Sequence, residues 1–191
     1  MQLGVLALQG DFYLHFERIR ELGIDAAYVK KPNELWECHG LIIPGGESTT
    51  LVKLLKNIDL YDEIPKFNKK FPVFGTCAGA ILLSQHVTNH PVESFKLLDV
   101  DIERNAYGTQ IDSFFEDIAL DFGGQPETVE AVFIRAPKFT RIGENVRILA
   151  RHNGDVVMVE SENAMAATFH PELTKSTRIH EYFADKVRKC L

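Results

Sequence analysis

Cysteine is scarce in this chain, with three residues in 191, at positions 38, 77 and 190. An odd set with no paired spacing excludes a disulfide framework and a thiolate-rich metal site. Cys38-His39, without further ligands near it, is too little for a metal centre. A reducing, cytoplasmic setting is therefore expected. A basic excess is also missing: the formal charge is -6, which argues against nucleic acid or an anionic membrane as the main partner. No apolar run approaches the ~20 residues that span a bilayer. Met1-Gln2-Leu3-Gly4 enters a strand-like run with no basic leader ahead of it. Repeats, low-complexity tracts and linker-like stretches are absent as well. What remains is 45% hydrophobic and 25% charged, the balance of an ordinary globular protein. The length suits one sizeable core, and a single domain over 1–191 is the expectation.

Within that ordinary composition, Pro72-Val-Phe-Gly-Thr-Cys77-Ala-Gly-Ala80 stands out. A short apolar run reaches Gly75, a cysteine follows two residues later, and Gly79 leads into Ile81-Leu82-Leu83. This is the pattern of a strand–nucleophile–helix elbow with cysteine at the nucleophile position. The flanking glycines suit a turn in which strand and helix nearly touch. A thiol at a helix N-terminus sits in the positive end of the dipole, which favours the reactive thiolate. Most isolated intracellular cysteines are structural; the two glycines at fixed offsets turn the reading toward chemistry.

A nucleophilic thiol needs a base, and the base an orienting acid. Of seven histidines, His170 alone has fitting company, in Phe169-His170-Pro171-Glu172. Residues two apart in an extended segment share a side, so Glu172 can fix the ring through one nitrogen and leave the other for Cys77. A third segment, Leu41-Ile42-Ile43-Pro44-Gly45-Gly46-Glu47-Ser48-Thr49-Thr50, passes from an apolar strand through a glycine pair into a helical run. Acyl transfer builds charge on the carbonyl oxygen and needs preorganised N–H donors. Gly45-Gly46 and the amide of Ala78 can supply them. The P-loop lysine and spacing are absent, which sets phosphate binding aside.

These segments resemble the class I, or triad, glutamine amidotransferases. Leu6-Ala7-Leu8-Gln9-Gly10, Glu103-Arg104-Asn105, Asp112-Ser113-Phe114 and Phe133-Ile134-Arg135-Ala136-Pro137 narrow the resemblance to the glutaminase subunits of pyridoxal 5′-phosphate synthase, over essentially the whole chain. The resemblance implies a Cys77, His170 and Glu172 triad, with Gly45, Gly46 and Ala78 at the oxyanion. It also implies that Arg104, Ile134 and Arg135 hold L-glutamine. The two arginines suit an α-carboxylate; their other reading is as solvated strand charges. Glu47 can meet the α-ammonium or cap the following helix. Two departures from the family pattern are Asp11-Phe12-Tyr13-Leu14 ahead of His15, and Ala80 where a larger apolar residue is usual. The first falls in a segment that faces the partner subunit in this family.

The order of elements reads as α/β. Leu3 to Leu8 is a continuous apolar run of the kind found in a strand covered on both faces. Phe12, Phe16, Ile19 and Leu22 fall at helical spacing before Gly23. Ala26–Val29, Leu41–Ile43 and Val73-Phe74 give further short strands, and the texture turns strand-rich from Val100. Asn153-Gly154 marks a hairpin, and Ile179, Tyr182, Phe183 and Val187 lie on one face of a closing helix. The expected fold is a doubly wound, mostly parallel sheet with flanking helices, flavodoxin-like, with a strand-rich C-terminal half. In such sheets ligands sit at the carboxyl ends of the strands, which would bring the Gly-Gly turn, the elbow and the His170 segment to one rim.

The implied reaction is hydrolysis of glutamine to glutamate and ammonia through a γ-glutamyl thioester, with no metal or organic cofactor. The ammonia would pass to a separate synthase barrel that makes pyridoxal 5′-phosphate. Such a barrel takes about 250 residues, more than this chain contains. Three other readings are an amidotransferase serving a different synthase, a nonenzymatic binding module with an idle cysteine, and a cysteine peptidase of related architecture. The Gln9-Gly10 and Arg135-Ala136-Pro137 segments weigh against the first. The intact Cys, His and Glu set weighs against the second, and His-Pro-Glu after the last strand against the third.

Overall fold

The computed structural model describes residues 1–104 and 113–191. Asn105 and Asp112, which belong to two of the resemblance motifs, lie outside the described residues. Short, largely apolar runs form the parallel half of the main sheet. They are β1 (Gln2–Leu6), β2 (Asp25–Val29), β3 (Gly40–Ile43), β4 (Val73–Thr76) and β12 (Ala164–Ala167). These five pair in parallel in the order β2-β1-β3-β4-β12. Antiparallel strands then continue the sheet: β11 (Asp155–Glu160), β10 (Arg147–His152), β7 (Ser113–Leu120) and β8 (Glu127–Ile134). The expected hairpin at Asn153-Gly154 joins β10 to β11, and both of its turn residues have positive φ.

Alternate side chains of the central strands feed two cores, one on each face, as strand geometry requires. Leu41, Ile43 and Val73 join the core beneath α2 (Pro32–Trp36), α3 (Ser48–Asn57), α4 (Glu63–Asn68) and α5 (Ala78–Leu83). Ile42 and Phe74 point to the other core, where α1 (Phe12–Glu21) and α6 (Arg178–Arg188) bury Ile19, Ile179, Phe183 and Val187. β1 stands between β2 and β3, so the order reverses beside it, and the rim above β1, β3 and β4 is a topological switch point.

Two details depart from the sequence reading. β1 stops at Leu6 rather than Leu8, although the amide of Ala7 still bonds the carbonyl of Val29 at 3.0 Å. The strand-rich part begins before Val100: β5 (Ser84–Thr88), β6 (Leu98–Glu103) and β9 (Lys138–Ile142) form a separate three-stranded sheet. β5 is mostly polar and half exposed, so it carries no apolar signature to read. Among the described residues no helix is long and apolar enough to cross a membrane.

Candidate active site

Four strands deliver residues to the same rim. β3 ends at Ile43 and β4 at Thr76, and the parallel β12 ends three residues before His170. Each of the antiparallel strands beyond β12 reverses direction, so β8 again runs parallel to β12 and brings Ile134 and Arg135 to this edge.

Cys77 sits at the N-cap of α5 with φ 48 and ψ -104, a conformation that leaves a non-glycine side chain strained. The strain is held in place from both sides. A β-carbon on Gly75 would strike the carbonyl carbon of Gly79, and one on Gly79 would strike the carbonyl oxygen of Ile43. The amide of Cys77 bonds Ala167 at 2.9 Å, which ties the elbow to β12. Ala78 is the first residue of α5, so its N–H has no partner within the helix and is available to a ligand.

His170 is anchored to β8 by its amide, 2.8 Å from the carbonyl of Val132. Its Nδ1 lies 2.7 Å from Oε1 of Glu172, which belongs to a single 3-10 turn, Pro171–Leu173. Glu172 is fully buried and His170 nearly so, while Cys77 keeps a small edge toward solvent. Burial works against the charged form of both partners. For Glu172 the fields of His15 and His170 and the hydrogen bond from His170 overcome it, and the carboxyl titrates below its ordinary range. For His170 desolvation is likewise outweighed, by hydrogen bonding to the Cys77 side chain and to Glu172, and the imidazole is raised to about 10. The ring meets Oε1 of Glu172 through Nδ1, which leaves its other nitrogen for the neighbouring Cys77 side chain.

These groups open on a cavity of about 460 Å³ lined by Gly10, Gly45, Gly46, Cys77, Arg104 and His170, with Glu47, Ile134 and Arg135 also on its wall. The structure thus gathers every sequence-predicted residue at one place, with Glu172 behind the His170 ring and Ala78 at the base of the elbow. Glu47 does what a cap does: its carboxylate accepts from the amides of Thr49 at 3.0 Å and Thr50 at 2.6 Å. It also lines the cavity, pairing with Arg104 at 3.1 Å. Arg104 donates in addition to the carbonyl of His90 at 3.0 Å. Asp11, His170 and Glu172 place one potential metal-ligand atom each within 4.8 Å of one another. Two of the three are already engaged in the short His170–Glu172 pair. Cys38 belongs to the core and its Sγ donates to the carbonyl of Glu34, while His39 accepts from the amide of Gln2.

Residues 5–189 match the SNO glutamine amidotransferase family. The chain belongs to that family. It is 50% identical to a protein of Thermosipho africanus named pyridoxal 5′-phosphate synthase subunit PdxT, over 99% of this chain and 100% of that one. A protein of the same name from Solibacter usitatus is 47% identical, over 97% of this chain and 99% of the relative. A crystal structure of a glutamine amidotransferase superposes with a TM-score of 0.91 at 43% identity, covering 97% of this chain and 98% of that one. Another glutamine amidotransferase, from Thermotoga maritima, shares the fold at 18% identity and TM-score 0.59, over 98% of this chain and 84% of that one.

For this member of the SNO glutamine amidotransferase family, sequence reasoning passed over two histidines beside the site. His15 on α1 and His180 on α6 are both fully buried. A signal for each was present: His15 falls on the face defined by Phe12, Phe16 and Ile19, and His180 on that of Ile179 and Phe183. A polar residue on the apolar face of a helix is the informative exception.

Proposed function

We propose that this chain hydrolyses L-glutamine to L-glutamate and ammonia as one domain over 1–191, and hands the ammonia to the barrel subunit of a pyridoxal 5′-phosphate synthase. The observation that carries the reading is the buried 2.7 Å His170–Glu172 pair set against a cysteine at a strained helix N-cap, all facing one cavity. The names borne by its relatives support the choice of synthase.

In the proposed reaction the Cys77 thiolate attacks the amide carbon of the glutamine side chain. The oxygen becomes an oxyanion, met by the N–H groups of the Gly45-Gly46 turn and Ala78. His170 gives its proton to the amide nitrogen, the C–N bond breaks, and ammonia leaves a γ-glutamyl thioester on Cys77. Neutral His170 then takes a proton from water as its oxygen attacks the thioester carbon. The C–S bond breaks, glutamate departs, and the thiolate–imidazolium pair is restored. Glu172 keeps the ring in one orientation throughout. Arg104 and Arg135 receive the α-carboxylate, Glu47 the α-ammonium, and Ile134 packs on the aliphatic stem. We place the protein in the cytoplasm, where Cys38, Cys77 and Cys190, all free thiols, stay reduced.

The test is glutamate release from glutamine with and without the synthase barrel, together with synthesis from glutamine labelled with 15N at the amide. Turnover that vanishes in a folded Cys77→Ala chain, with label entering pyridoxal 5′-phosphate, supports the reading. Full turnover by Cys77→Ala, or label that never reaches that product, overturns it. A glutamine-like affinity label should attach at Cys77 and spare Cys38 and Cys190, which peptide mass mapping resolves.

A further inference from the structure

We infer that His15 and His180 are positioning residues that extend the triad inward, forming a buried relay His180–His15–Glu172–His170 that holds Glu172 with Oε1 toward His170. The inference rests on the triad reading above and adds two residues from two separate helices to it.

Nδ1 of His15 lies 2.9 Å from Nε2 of His180, with the ring centroids 5.1 Å apart. Nε2 of His15 lies 3.2 Å from Oε2 of Glu172 and 3.3 Å from the hydroxyl of Thr76, the residue before the nucleophile. Oε2 has no aligned hydrogen bond of its own, so His15 acts on it through the field of a nearby N–H. Both rings are fully buried. Desolvation lowers both; on His15 it outweighs the upward fields of Glu172 and Asp11, and on His180 the fields of His15 and Arg18 push the same way. Both histidines are neutral at pH 7, and each carries one N–H.

The tautomers then follow from satisfaction of polar groups. Glu172 is an acceptor on both oxygens. If Nε2 of His15 were bare, its lone pair would face a carboxylate oxygen at 3.2 Å, with the Thr76 hydroxyl at 3.3 Å as a donor beside it. His15 would then donate from Nδ1 to His180, and His180 would hold its proton on Nδ1, a buried atom with no partner. The opposite assignment removes both faults. His15 carries Nε2–H, donated to the Thr76 hydroxyl at 3.3 Å with Oε2 of Glu172 alongside at 3.2 Å, His180 donates Nε2–H to Nδ1 of His15, and the unpartnered atom is a bare acceptor, which costs less than an orphaned donor. Loss of His15 would free Oε2 and let the carboxyl group rotate away from His170.

The groups facing Glu172 are His170, His15 and the carboxylate of Asp11, which has an oxygen within 4.8 Å of it. Asp11 bears on His15 from the start of its own helix, and Arg18 on His180. Since His15 helps hold the Glu172 carboxyl down, its removal raises the pH at which protonation disables the acid side of the profile. The experiment uses the chain with its synthase barrel, measuring kcat and KM for glutamine against pH in His15→Leu, His15→Gln and His180→Phe. It adds 15N NMR of the histidine rings of the parent. The expected result is an Nε2–H tautomer for both His15 and His180. For His15→Leu, kcat falls on the order of tenfold, the scale on which outer partners act on an oriented histidine. KM is unchanged, the acid limb moves to higher pH, and His15→Gln, which keeps an N–H, recovers most of the loss. Parent-like kcat and acid limb in a folded His15→Leu, or an Nδ1–H tautomer at His15, overturns the inference. If His15→Leu does not fold, the tautomers and the His180→Phe profile decide the matter. A parent complex that never turns over glutamine would instead remove the proposed function, and the ring tautomers are read without substrate.

Discussion

A β-carbon on Gly45 would stand 2.5 Å from Cε1 of His170 and 3.4 Å from the β-carbon of Cys77. The glycine turn is therefore packed against both reacting side chains, and its backbone fixes where the ring can lie.

Gly45→Ala should accordingly behave as an active-site lesion in a folded protein. The methyl group displaces the imidazole from the sulfur, and a misplacement of about 1 Å costs on the order of 100-fold in rate. Circular dichroism and thermal unfolding should change little, while kcat for glutamine falls. Parent-like kcat would mean the ring yields without consequence.

The His170–Cys77 contact has its own signature in titration. Desolvation pulls the imidazole down, yet hydrogen bonding to Cys77 and Glu172 lifts it to about 10, against an ordinary value near 6.5 in the unfolded chain. A raised value contributes stability that is complete below about pH 6.5 and disappears as pH rises through about 10. In Cys77→Ala one of the upward contributions is gone, so the His170 midpoint should drop and this alkaline loss of stability should shrink. Proton NMR of the ring across pH reads the first, and urea unfolding at several pH values the second. An unmoved midpoint would show that Glu172 alone sets it.

The helix cap formed by Glu47 and its proposed role toward the substrate separate experimentally. Its carboxyl is held down to about 2: partial desolvation opposes this, and hydrogen bonds from Thr50 and Thr49 prevail. The cap it forms is thus present above its unfolded value near 4.5 and is lost as pH falls toward 2. Glu47→Ala should cost about 1 kcal/mol of stability as a lost N-cap, measured by urea unfolding at pH 7. It should also raise KM for glutamine through loss of the ammonium partner and of the 3.1 Å contact to Arg104. Glu47→Asn keeps an acceptor for the helix amides and no charge for the substrate, so it should restore stability and leave KM high. Equal KM in all three proteins would confine Glu47 to capping.

How legible all this was in the chain depended on the physical origin of each feature. Cys77 and its two glycines were readable because the elbow leaves no room for side chains, and steric need writes itself into residue type. The central strands were readable because burial on both faces demands unbroken apolar runs such as Leu41-Ile42-Ile43. The His170–Glu172 pair was readable because its spacing is local. β5 was not, since Ser84–Thr88 is half exposed and its pairing with β6 is a tertiary choice. His15 and His180 were missed because their partners are remote in sequence: 165 positions separate the two rings that meet at 2.9 Å. Periodicity says that such a residue is inside and leaves its partner unnamed.

Docking of the synthase should raise the glutaminase rate strongly above that of the isolated chain. Gly46 has φ +134, open to glycine and strained for any other residue, so the peptides on either side can turn their N–H groups toward or away from the oxyanion at small steric cost. The side chain of Gln9 packs where a β-carbon on Gly46 would sit, with Nε2 at 2.7 Å from that position, and it donates to the carbonyl of Glu47 at 2.8 Å. Gln9 therefore holds the glycine turn from the loop that follows β1. A partner that binds only the turned-in state shifts the population toward it by its difference in affinity for the two states. Steady-state glutamate release should climb as synthase is titrated in and then saturate. Gln9→Ala should lower the plateau more than the basal rate, since it loosens the turn that docking must set. An isolated chain that already works at the rate of the complex would leave the glycine pair as a tight turn alone, and an unchanged plateau in Gln9→Ala would remove Gln9 from the coupling.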